Sequence, residues 1–252
     1  MFLKKSLGQH FLREKNTLAK EARLLGPMGK TVLEIGPGDG RLTEQLLLAG
    51  ASRVIAVEKD IALVKVLEEK FSNRPVHIIH ADFLELDARK IGKIDRIAGN
   101  IPYYISSPIV FRLKEFEFEK ALLMVQEEFA KKMVAKPGTS EYGRLSVTSQ
   151  LFYEVEYVQK VGRNQFFPAP KVDSAIILLE KRQVQDTEAL ESTIRSIFQH
   201  KNRTLRNALL SSGFEKEGIE ILGAVLKKRP RELTLEEIKQ ISEKISQKRP
   251  AI

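Results

Sequence analysis

The sequence predicts an α/β fold, in which a mostly parallel sheet carries helices on both faces and a small all-helical C-terminal domain follows. Short runs rich in Val, Ile and Leu recur through the first half of the chain, and segments with helical spacing lie between them. The final quarter holds no strand candidate. Consecutive apolar residues are typical of strands covered on both faces, and their alternation with helices favours right-handed crossovers.

The first half of the chain contains the predicted parallel strands. These are residues 31–36, 53–58, 76–80, 94–99 and 121–125, with predicted helices at 42–48 and 61–71 between them. The carboxyl ends of parallel strands form the edge at which open α/β sheets bind ligands. Candidate functional residues are therefore expected in the loops that follow these strands.

The pattern changes after Gln126. The predicted elements there are two helices, 127–136 and 142–152, and two strands, 155–161 and 172–179. No convincing helix separates the two strands, which indicates an antiparallel hairpin that closes the sheet. From about Gln183 the pattern is helical, so we expect a first domain at 1–182 and a helical domain at 183–252.

Composition excludes several classes of site. The 252-residue chain has no cysteine, which excludes disulfides, thiolate nucleophiles and cysteine-ligated metals. Its four histidines are scattered, so no metal site is predicted. No apolar run approaches the ~18 residues of a membrane span, and the first residues lack the apolar core of a signal peptide. The expected location is the cytoplasm.

Positive charge predominates along the chain. The 42 Lys and Arg residues exceed the 33 Asp and Glu residues, which gives a net charge of +9. Such an excess favours anionic partners through long-range attraction and counterion release. Stretches without acids include Lys4 and Lys5 near the start and Lys201, Arg203 and Arg206 towards the end. These side chains are candidate nucleic-acid contacts.

A glycine-rich loop, 36–40, joins the first predicted strand to the first helix. Gly36 and Gly38 allow the backbone to turn tightly and to approach a ligand closely. Glu58 ends the second strand and can hold a ribose diol. A dinucleotide fingerprint would need glycine where Arg41 stands, so a nucleoside without a pyrophosphate is the preferred ligand. The alternative is a tight turn without a ligand.

Asp82 and Phe83 follow the third predicted strand. A carboxylate followed by an aromatic ring can accept from an adenine amino group and pack against the base. Asp82 could instead cap a helix or stabilise a turn. The matching positions of Gly36 and Glu58 on adjacent strands favour the adenine interpretation.

Asn100, Pro102 and Tyr103 follow the fourth predicted strand. The lone pair of an exocyclic adenine amine is delocalised into the ring, so a site can help by accepting hydrogen bonds from its N–H groups. Asn100 offers a side-chain carbonyl, and a turn constrained by Pro102 can direct a backbone carbonyl. Tyr103 can stack on a flipped base, worth about 1–3 kcal/mol. The alternative is an ordinary Asn-X-Pro loop that ends a strand.

Further strings complete a family pattern. They are residues 6–12, 57–60, Tyr-Gly-Arg-Leu-Ser-Val at 142–147 and Phe-Pro-Ala-Pro-Lys-Val-Asp-Ser-Ala at 167–175. With the loops above, they follow in the order found in the ribosomal RNA adenine N6,N6-dimethyltransferase family, which the chain resembles over nearly its whole length. In bacteria, loss of the small-subunit enzyme of this family gives kasugamycin resistance.

The resemblance implies a Rossmann-like class I methyltransferase sheet and S-adenosylmethionine as the cofactor. The implied substrate is two adjacent adenosines near the 3′ end of small-subunit ribosomal RNA, in an immature subunit, and a monomeric enzyme is expected. The implied catalytic residues are Asn100, Pro102, Tyr103 and Phe167, with Phe167 stacking on the adenine opposite Tyr103. The implied donor-binding residues are His10, Leu12, Gly36, Gly38, Glu58, Lys59, Asp82, Phe83 and Asn100. The implied RNA contacts are Lys4, Lys5, Arg144, Lys201, Arg203 and Arg206.

Two positions depart from the family pattern. His10 stands where relatives usually carry Asn, so its donor contact is expected through the backbone. Tyr104 stands where many relatives carry Asn, which alters the pocket wall. Two other functions remain open: the related large-subunit methyltransferase that confers macrolide resistance, and a ribosome-assembly or transcription factor without activity. The string at 167–175 and the basic C-terminal helices favour the small-subunit enzyme, and the intact Glu58, Asp82 and Asn100 favour catalysis.

Overall fold

The structure is a computed structural model that describes residues 10–184 and 187–246. Lys4 and Lys5, two of the predicted RNA contacts, lie outside these residues. Within the described ranges, no helix is long and apolar enough to cross a membrane. The same ranges contain no group of three or more His, Asp or Glu side chains that could hold a metal ion.

Strands and helices follow one another along residues 11–133, and two short 3-10 turns separate the strands Val76–His80 and Arg96–Asn100. The strands are β1 Phe11–Leu12, β2 Thr31–Ile35, β3 Arg53–Glu58, β4 Val76–His80, β5 Arg96–Asn100, β6 Lys120–Gln126, β7 Tyr153–Val161, β8 Phe166–Phe167 and β9 Ser174–Lys181. The helices are α1 Lys15–Leu25, α2 Arg41–Leu48, α3 Ile61–Lys70, α4 Ser106–Arg112, α5 Glu127–Met133, α6 Arg144–Phe152, α7 Thr187–Phe198, α8 Leu205–Ser211, α9 Lys216–Ile219 and α10 Leu235–Ser246.

The central sheet confirms the predicted fold class. Among the described residues it has seven strands in the order β4-β3-β2-β5-β6-β9-β7. Strand β3 lies parallel to β2 and β4, and β5 lies parallel to β2 and β6. Strand β9 pairs antiparallel with β6, with Lys120 opposite Glu180 and Gln126 opposite Ser174. Strands β7 and β9 are neighbours in this sheet, and β9 connects them to the parallel strands through β6.

The central strands are buried along consecutive positions. Four of the five residues of β2 and five of the six residues of β3 are buried. Helix α1 contributes Leu18, Ala22 and Leu25 to the same apolar core. This helix was absent from the elements predicted above, and it packs on α2 and β6.

The chain divides into two compact units. The first contains Met1–Ala130 and Glu154–Lys181, and the second contains Lys131–Tyr153 and Arg182–Ile252. The sequence predicts a single boundary between residues 182 and 183. The structure instead groups residues 131–153 with the C-terminal helices.

Tertiary contacts inside the second unit explain this grouping. The buried Tyr142 donates its hydroxyl to the Leu233 carbonyl oxygen at 3.0 Å. Its ring meets the Phe198 ring edge-on, with 6.3 Å between the centroids. Helix α6 also packs on α7 and α10. Periodicity along the chain identifies a helix but not its packing partner, so this part of the boundary could not be read from the sequence.

Candidate active site

A cavity of about 330 Å³ lies at the carboxyl edge of the parallel strands. Its volume falls in the range of about 300–1,000 Å³ that is usual for small-molecule sites. The structure brings eleven predicted site residues together in its lining: His10, Leu12, Gly36, Gly38, Glu58, Lys59, Asp82, Phe83, Asn100, Pro102 and Tyr103. Tyr104, the second departure from the family pattern, also lines the cavity.

The glycine loop is held close to β3. Gly36 and Gly38 have φ angles of 65° and 59°, a backbone conformation that residues other than glycine rarely adopt. The Gly36 N–H donates to the Val57 carbonyl oxygen at 2.9 Å. A Cβ atom on Gly38 would lie 2.5 Å from a ring carbon of Phe11. Gly38 is therefore required both for its backbone angle and for the close approach of β1.

Glu58 is an acceptor at the end of β3 and is only 7% exposed. Its Oε2 accepts the Gly38 N–H at 3.2 Å, and its Oε1 accepts the Asp60 N–H at 2.9 Å. Burial raises the pKa of Glu58, against the effect of these hydrogen bonds. Each carboxylate oxygen can accept more than one hydrogen bond, so Glu58 can shape the loop and still accept from ligand hydroxyls.

Asp82 and Lys59 form an ion pair on the cavity wall, with 2.6 Å between Lys59 Nζ and Asp82 Oδ2. Asp82 Oδ1 accepts the Leu84 N–H at 2.9 Å and caps the short 3-10 turn Phe83–Glu85. Burial opposes the ionisation of Asp82, but the hydrogen bonds from Lys59 and Leu84 outweigh it and lower its pKa. Asp82 is thus both the turn residue considered above and an ionised acceptor at the cavity.

Phe83 is buried beside Asp82, and its ring stacks on Phe116 with 5.1 Å between the centroids. One face of Phe83 is therefore covered by the protein core. The ring can pack on a ligand only with its remaining surface.

Asn100 is the last residue of β5, where it pairs with Met124 of β6. Its Nδ2 donates to Glu21 Oε2 of α1 at 3.4 Å. Its Oδ1 is buried and has no hydrogen-bond partner in the part of the chain that the structure describes. An unpaired buried acceptor costs about 1–3 kcal/mol, and such atoms in folded proteins often mark a functional role.

Pro102 closes the turn that follows Asn100. Its carbonyl oxygen accepts from the Ile105 N–H at 3.2 Å and from Ser106 Oγ at 3.4 Å. This carbonyl is therefore engaged in the turn itself. The side-chain oxygen of Asn100 is the better candidate to accept from a substrate amine.

Tyr103 is half-buried beside the turn. Its hydroxyl lies 2.7 Å from Ser174 Oγ, and its ring stacks on His10 with 6.0 Å between the centroids and an angle of 25°. The His10 Nδ1 lies 2.8 Å from the Pro168 carbonyl oxygen. The imidazole Nδ1 is thus engaged with the protein, and the contact of the His10 backbone with the methyl donor stays a prediction.

Comparison with known proteins identifies the family. A family model described as "Ribosomal RNA adenine dimethylase" matches residues 2–243. The chain belongs to this family. The predicted resemblance is therefore confirmed.

Several relatives of this protein are named as methyltransferases of small-subunit ribosomal RNA. A "Probable ribosomal RNA small subunit methyltransferase A" from Methanopyrus kandleri is 43% identical over 223 residues, which cover 84% of this chain and 78% of the relative. A protein of the same name from Thermococcus sibiricus is 37% identical over 249 residues, which cover 94% and 90%.

Solved structures of two related enzymes have the same fold. A dimethyladenosine transferase from Plasmodium falciparum superposes with a TM-score of 0.79 at 28% identity, over 92% of this chain and 95% of that one. The 23S ribosomal RNA methyltransferase ErmE superposes with a TM-score of 0.66 at 31% identity, over 94% and 99%. The names of the relatives thus refer to both ribosomal subunits, the small subunit in the two sequence relatives and the large subunit in ErmE.

Phe167 is placed differently from the other predicted catalytic residues of this family member. It is absent from the cavity lining among the described residues, and its side chain is 49% exposed. Strand β8 pairs antiparallel with β1, with Phe167 opposite Phe11. The Arg13 guanidinium lies over the Phe167 ring at 4.1 Å. One face of the ring is therefore covered by a cation, and stacking on a base would use the other face.

The remaining predicted RNA contacts lie in the second unit, which is called the helical unit from here on. Arg144 is exposed at the start of α6, and Lys201 is exposed in the turn before α8. Arg203 is exposed and donates to Ser211 Oγ at 2.7 Å. Arg206 pairs with Glu220 at 2.5 Å, so its charge is partly neutralised within the unit.

Two buried acids near the cavity were not among the predicted site residues. Glu34 of β2 accepts from Thr43 Oγ1 at 2.6 Å, and burial raises its pKa to about 7. Glu21 of α1 contacts Asn100. The sequence pattern could have identified Glu21, because this acid shares a helix face with Leu18, Ala22 and Leu25. An acid is unusual on a buried apolar face.

Proposed function

We propose that the protein transfers methyl groups from S-adenosylmethionine to N6 of two adjacent adenosines near the 3′ end of small-subunit ribosomal RNA. The product is N6,N6-dimethyladenosine. The family membership and the small-subunit names of relatives support this assignment. The immature subunit as substrate, the cytoplasmic location and the monomeric state are parts of the same proposal.

The residues around the cavity fit S-adenosylmethionine. Glu58 would accept from the ribose hydroxyls, and Asp82 would accept from the adenine amino group beside Phe83. Gly36 and Gly38 have no side chain, so the loop backbone can approach the methionine part closely. A Cβ on Gly38 would also clash with Phe11. When bound, the donor supplies a methyl group activated by its positively charged sulfur.

The observation that carries the catalytic proposal is the unpaired Oδ1 of Asn100 at the cavity. It can accept an N–H of the target amine and orient the nitrogen lone pair towards the methyl carbon. As the N–C bond forms and the C–S bond breaks, the nitrogen becomes cationic and its proton becomes acidic. The proton can then leave to water, so a dedicated general base is unnecessary.

The target base needs an aromatic contact as well as an acceptor. The face of Tyr103 that is not covered by His10 can stack on the flipped adenine. Phe167 would contact the same base with the face that Arg13 leaves open. Ser174 fixes the Tyr103 hydroxyl, which restricts the orientation of the ring before the base enters.

Methyl transfer from labelled donor to undermethylated ribosomal subunits tests the assignment. We expect label in N6,N6-dimethyladenosine of the small-subunit RNA after nucleoside analysis, with none in large-subunit RNA offered in parallel. Label in the large-subunit RNA would instead support the function named for ErmE. Binding to small subunits without transfer to either RNA would indicate an assembly factor.

Replacement of Tyr103 tests the stacking role. We expect Tyr103→Ala to weaken capture of the target base by about 1–3 kcal/mol, the usual value of a base–aromatic stack, and to lower methylation with it. Tyr103→Phe keeps the ring and removes only the hydrogen bond to Ser174, so it should retain most of the capture. Base capture is measured with a fluorescent adenine analogue in the substrate loop, and donor affinity is measured separately. Equal capture by the Ala variant and the wild type would contradict the role.

Charge reversal tests the RNA surface of the helical unit. We expect Arg203→Glu with Arg206→Glu to weaken small-subunit binding, because fewer counterions are released. The slope of log K against log salt should flatten by about 0.7–0.9 for each phosphate that the variant no longer neutralises. Reversal of Lys65 and Lys90, two exposed lysines of the first unit, gives the same change in net charge and serves as the control. An equal slope change in both double variants would contradict a localised surface.

A further inference from the structure

Helix α1 carries an acid in the core of the first unit. Glu21 is 1% exposed. The other buried residues of this helix are Thr17, Leu18, Ala22 and Leu25. Burying a carboxyl group is unfavourable unless hydrogen bonds replace its lost hydration. The hydrogen-bond partner of Glu21 therefore indicates its role.

Asn100 is the hydrogen-bond partner of Glu21, 79 residues further along the chain. The amide nitrogen of Asn100 donates to Glu21 Oε2, while Glu21 Oε1 and Asn100 Oδ1 both lack partners among the residues that the structure describes. Asn100 lines the cavity. Glu21 is absent from its described lining and therefore acts from behind Asn100.

We propose that Glu21 is a positioning residue for methyl transfer, which holds the Asn100 amide with Nδ2 towards α1 and Oδ1 available to the target amine. An ionised carboxylate can only accept hydrogen bonds, so the amide must turn its NH₂ group towards Glu21. The same hydrogen bond polarises the amide and strengthens Oδ1 as an acceptor. This inference rests on the proposed function.

The protonation state of Glu21 decides whether this orientation is enforced. Burial, opposed by the Asn100 hydrogen bond and reinforced by Glu34 of β2, raises the pKa of Glu21 to about 8. A protonated Glu21 can donate its O–H to Asn100 Oδ1 and compete with the target amine. The orientation is therefore enforced above this pKa and is lost as the pH falls through it.

Few other ionisable groups face Glu21 from the neighbouring elements. The buried residues of α2 are Leu42, Thr43 and Leu46, and those of β6 are 121–125, none of which titrates. Arg96 of β5 reaches the C-terminal end of α1, four residues beyond Glu21. It donates there to the Leu25 carbonyl oxygen at 3.2 Å, and it pairs with Glu119. Glu34 is thus the acid whose own titration must be separated from that of Glu21.

Single-turnover methylation with saturating donor and undermethylated small subunits tests the proposal. We expect Glu21→Leu to slow transfer roughly 10- to 100-fold, as for a misplaced catalytic group, with unchanged donor and subunit Kd. Glu21→Gln keeps the shape and an acceptor oxygen and should recover part of the rate. Leu25→Ala, on the same helix face, should lower the Tm and leave the transfer rate unchanged. It thus serves as the control for general destabilisation.

Two pH-dependent measurements separate positioning from packing. The wild-type transfer rate should rise with pH through the Glu21 titration, and Glu21→Gln should lose this rise and keep only the part due to Glu34. In the enzyme without donor, the NMR signal of the Asn100 side-chain amide should shift with pH in the wild type and lose that titration in Glu21→Gln. Loss of the signal in Asn100→Ala assigns it.

The outcomes distinguish the two proposals. If the wild type does not methylate small subunits, the proposed function fails. If it methylates them and both Glu21 variants transfer at the wild-type rate, the positioning role alone is overturned. A pH profile or an amide titration that is identical in the wild type and Glu21→Gln would also overturn it.

Discussion

Asn100→Ala is expected to lower the single-turnover rate of methyl transfer by about 10²- to 10³-fold, the usual cost of removing one preorganised hydrogen-bonding group from an active site. The variant loses the acceptor that orients the target amine, and this interaction gains most of its value in the transition state. Substrate binding should therefore change much less than the rate. The rate is measured on undermethylated small subunits with labelled donor.

Two controls make this result interpretable. Asn73→Ala removes an exposed asparagine of the same unit and should transfer at the wild-type rate. Because Asn100 is also an implied donor-binding residue, donor affinity of Asn100→Ala should fall somewhat, but much less than the transfer rate. A collapsed turn at Pro102 would lower both to a similar extent. Near-normal transfer by a folded Asn100→Ala variant would contradict the amine-orienting mechanism and move the chemistry to other residues.

Glu58→Ala is expected to weaken S-adenosylmethionine binding by about 1.5–3 kcal/mol, the value of hydrogen bonds to a charged group. This corresponds to a rise in Kd of roughly 10- to 150-fold. The ribose hydroxyls lose their acceptor, and the Gly38 N–H loses the carboxylate that holds the glycine loop near β3. Calorimetric titration of the donor alone measures the effect.

The control for Glu58→Ala is Glu68→Ala, which removes an exposed carboxylate from α3 and should leave the donor Kd unchanged. Glu58→Gln keeps one acceptor oxygen and should bind with intermediate affinity. Circular dichroism confirms that each variant is folded before titration. An unaltered Kd in folded Glu58→Ala would remove this residue from the donor site.

Most of the candidate site could be predicted because its parts follow strands. Gly36, Glu58, Asp82 and Asn100 lie at or just after the ends of four parallel strands. Parallel strands end at one edge of a sheet, so a correct strand pattern brings these residues together without knowledge of side-chain packing. All four residues line the cavity. Their roles towards donor and substrate remain predictions.

Other parts of the site depend on contacts that no local pattern encodes. His10 reaches the Pro168 carbonyl oxygen across 158 residues, and the pairing of β1 with β8 places Phe167 beside Arg13 rather than in the cavity lining. Short strands of two residues leave almost no periodic signal. The sequence therefore indicated that Phe167 matters but not which face of its ring is available.

The sequence by itself determined the succession of the central strands along the chain, the position of the ligand-binding edge and the family. These properties depend on periodicity and on motifs that each lie within a few neighbouring residues. The tertiary structure decided that residues 131–153 belong to the helical unit and that Glu21 lies behind Asn100. Both facts are contacts between residues far apart in the chain, and such contacts are set by how helices pack rather than by the local pattern that forms each helix.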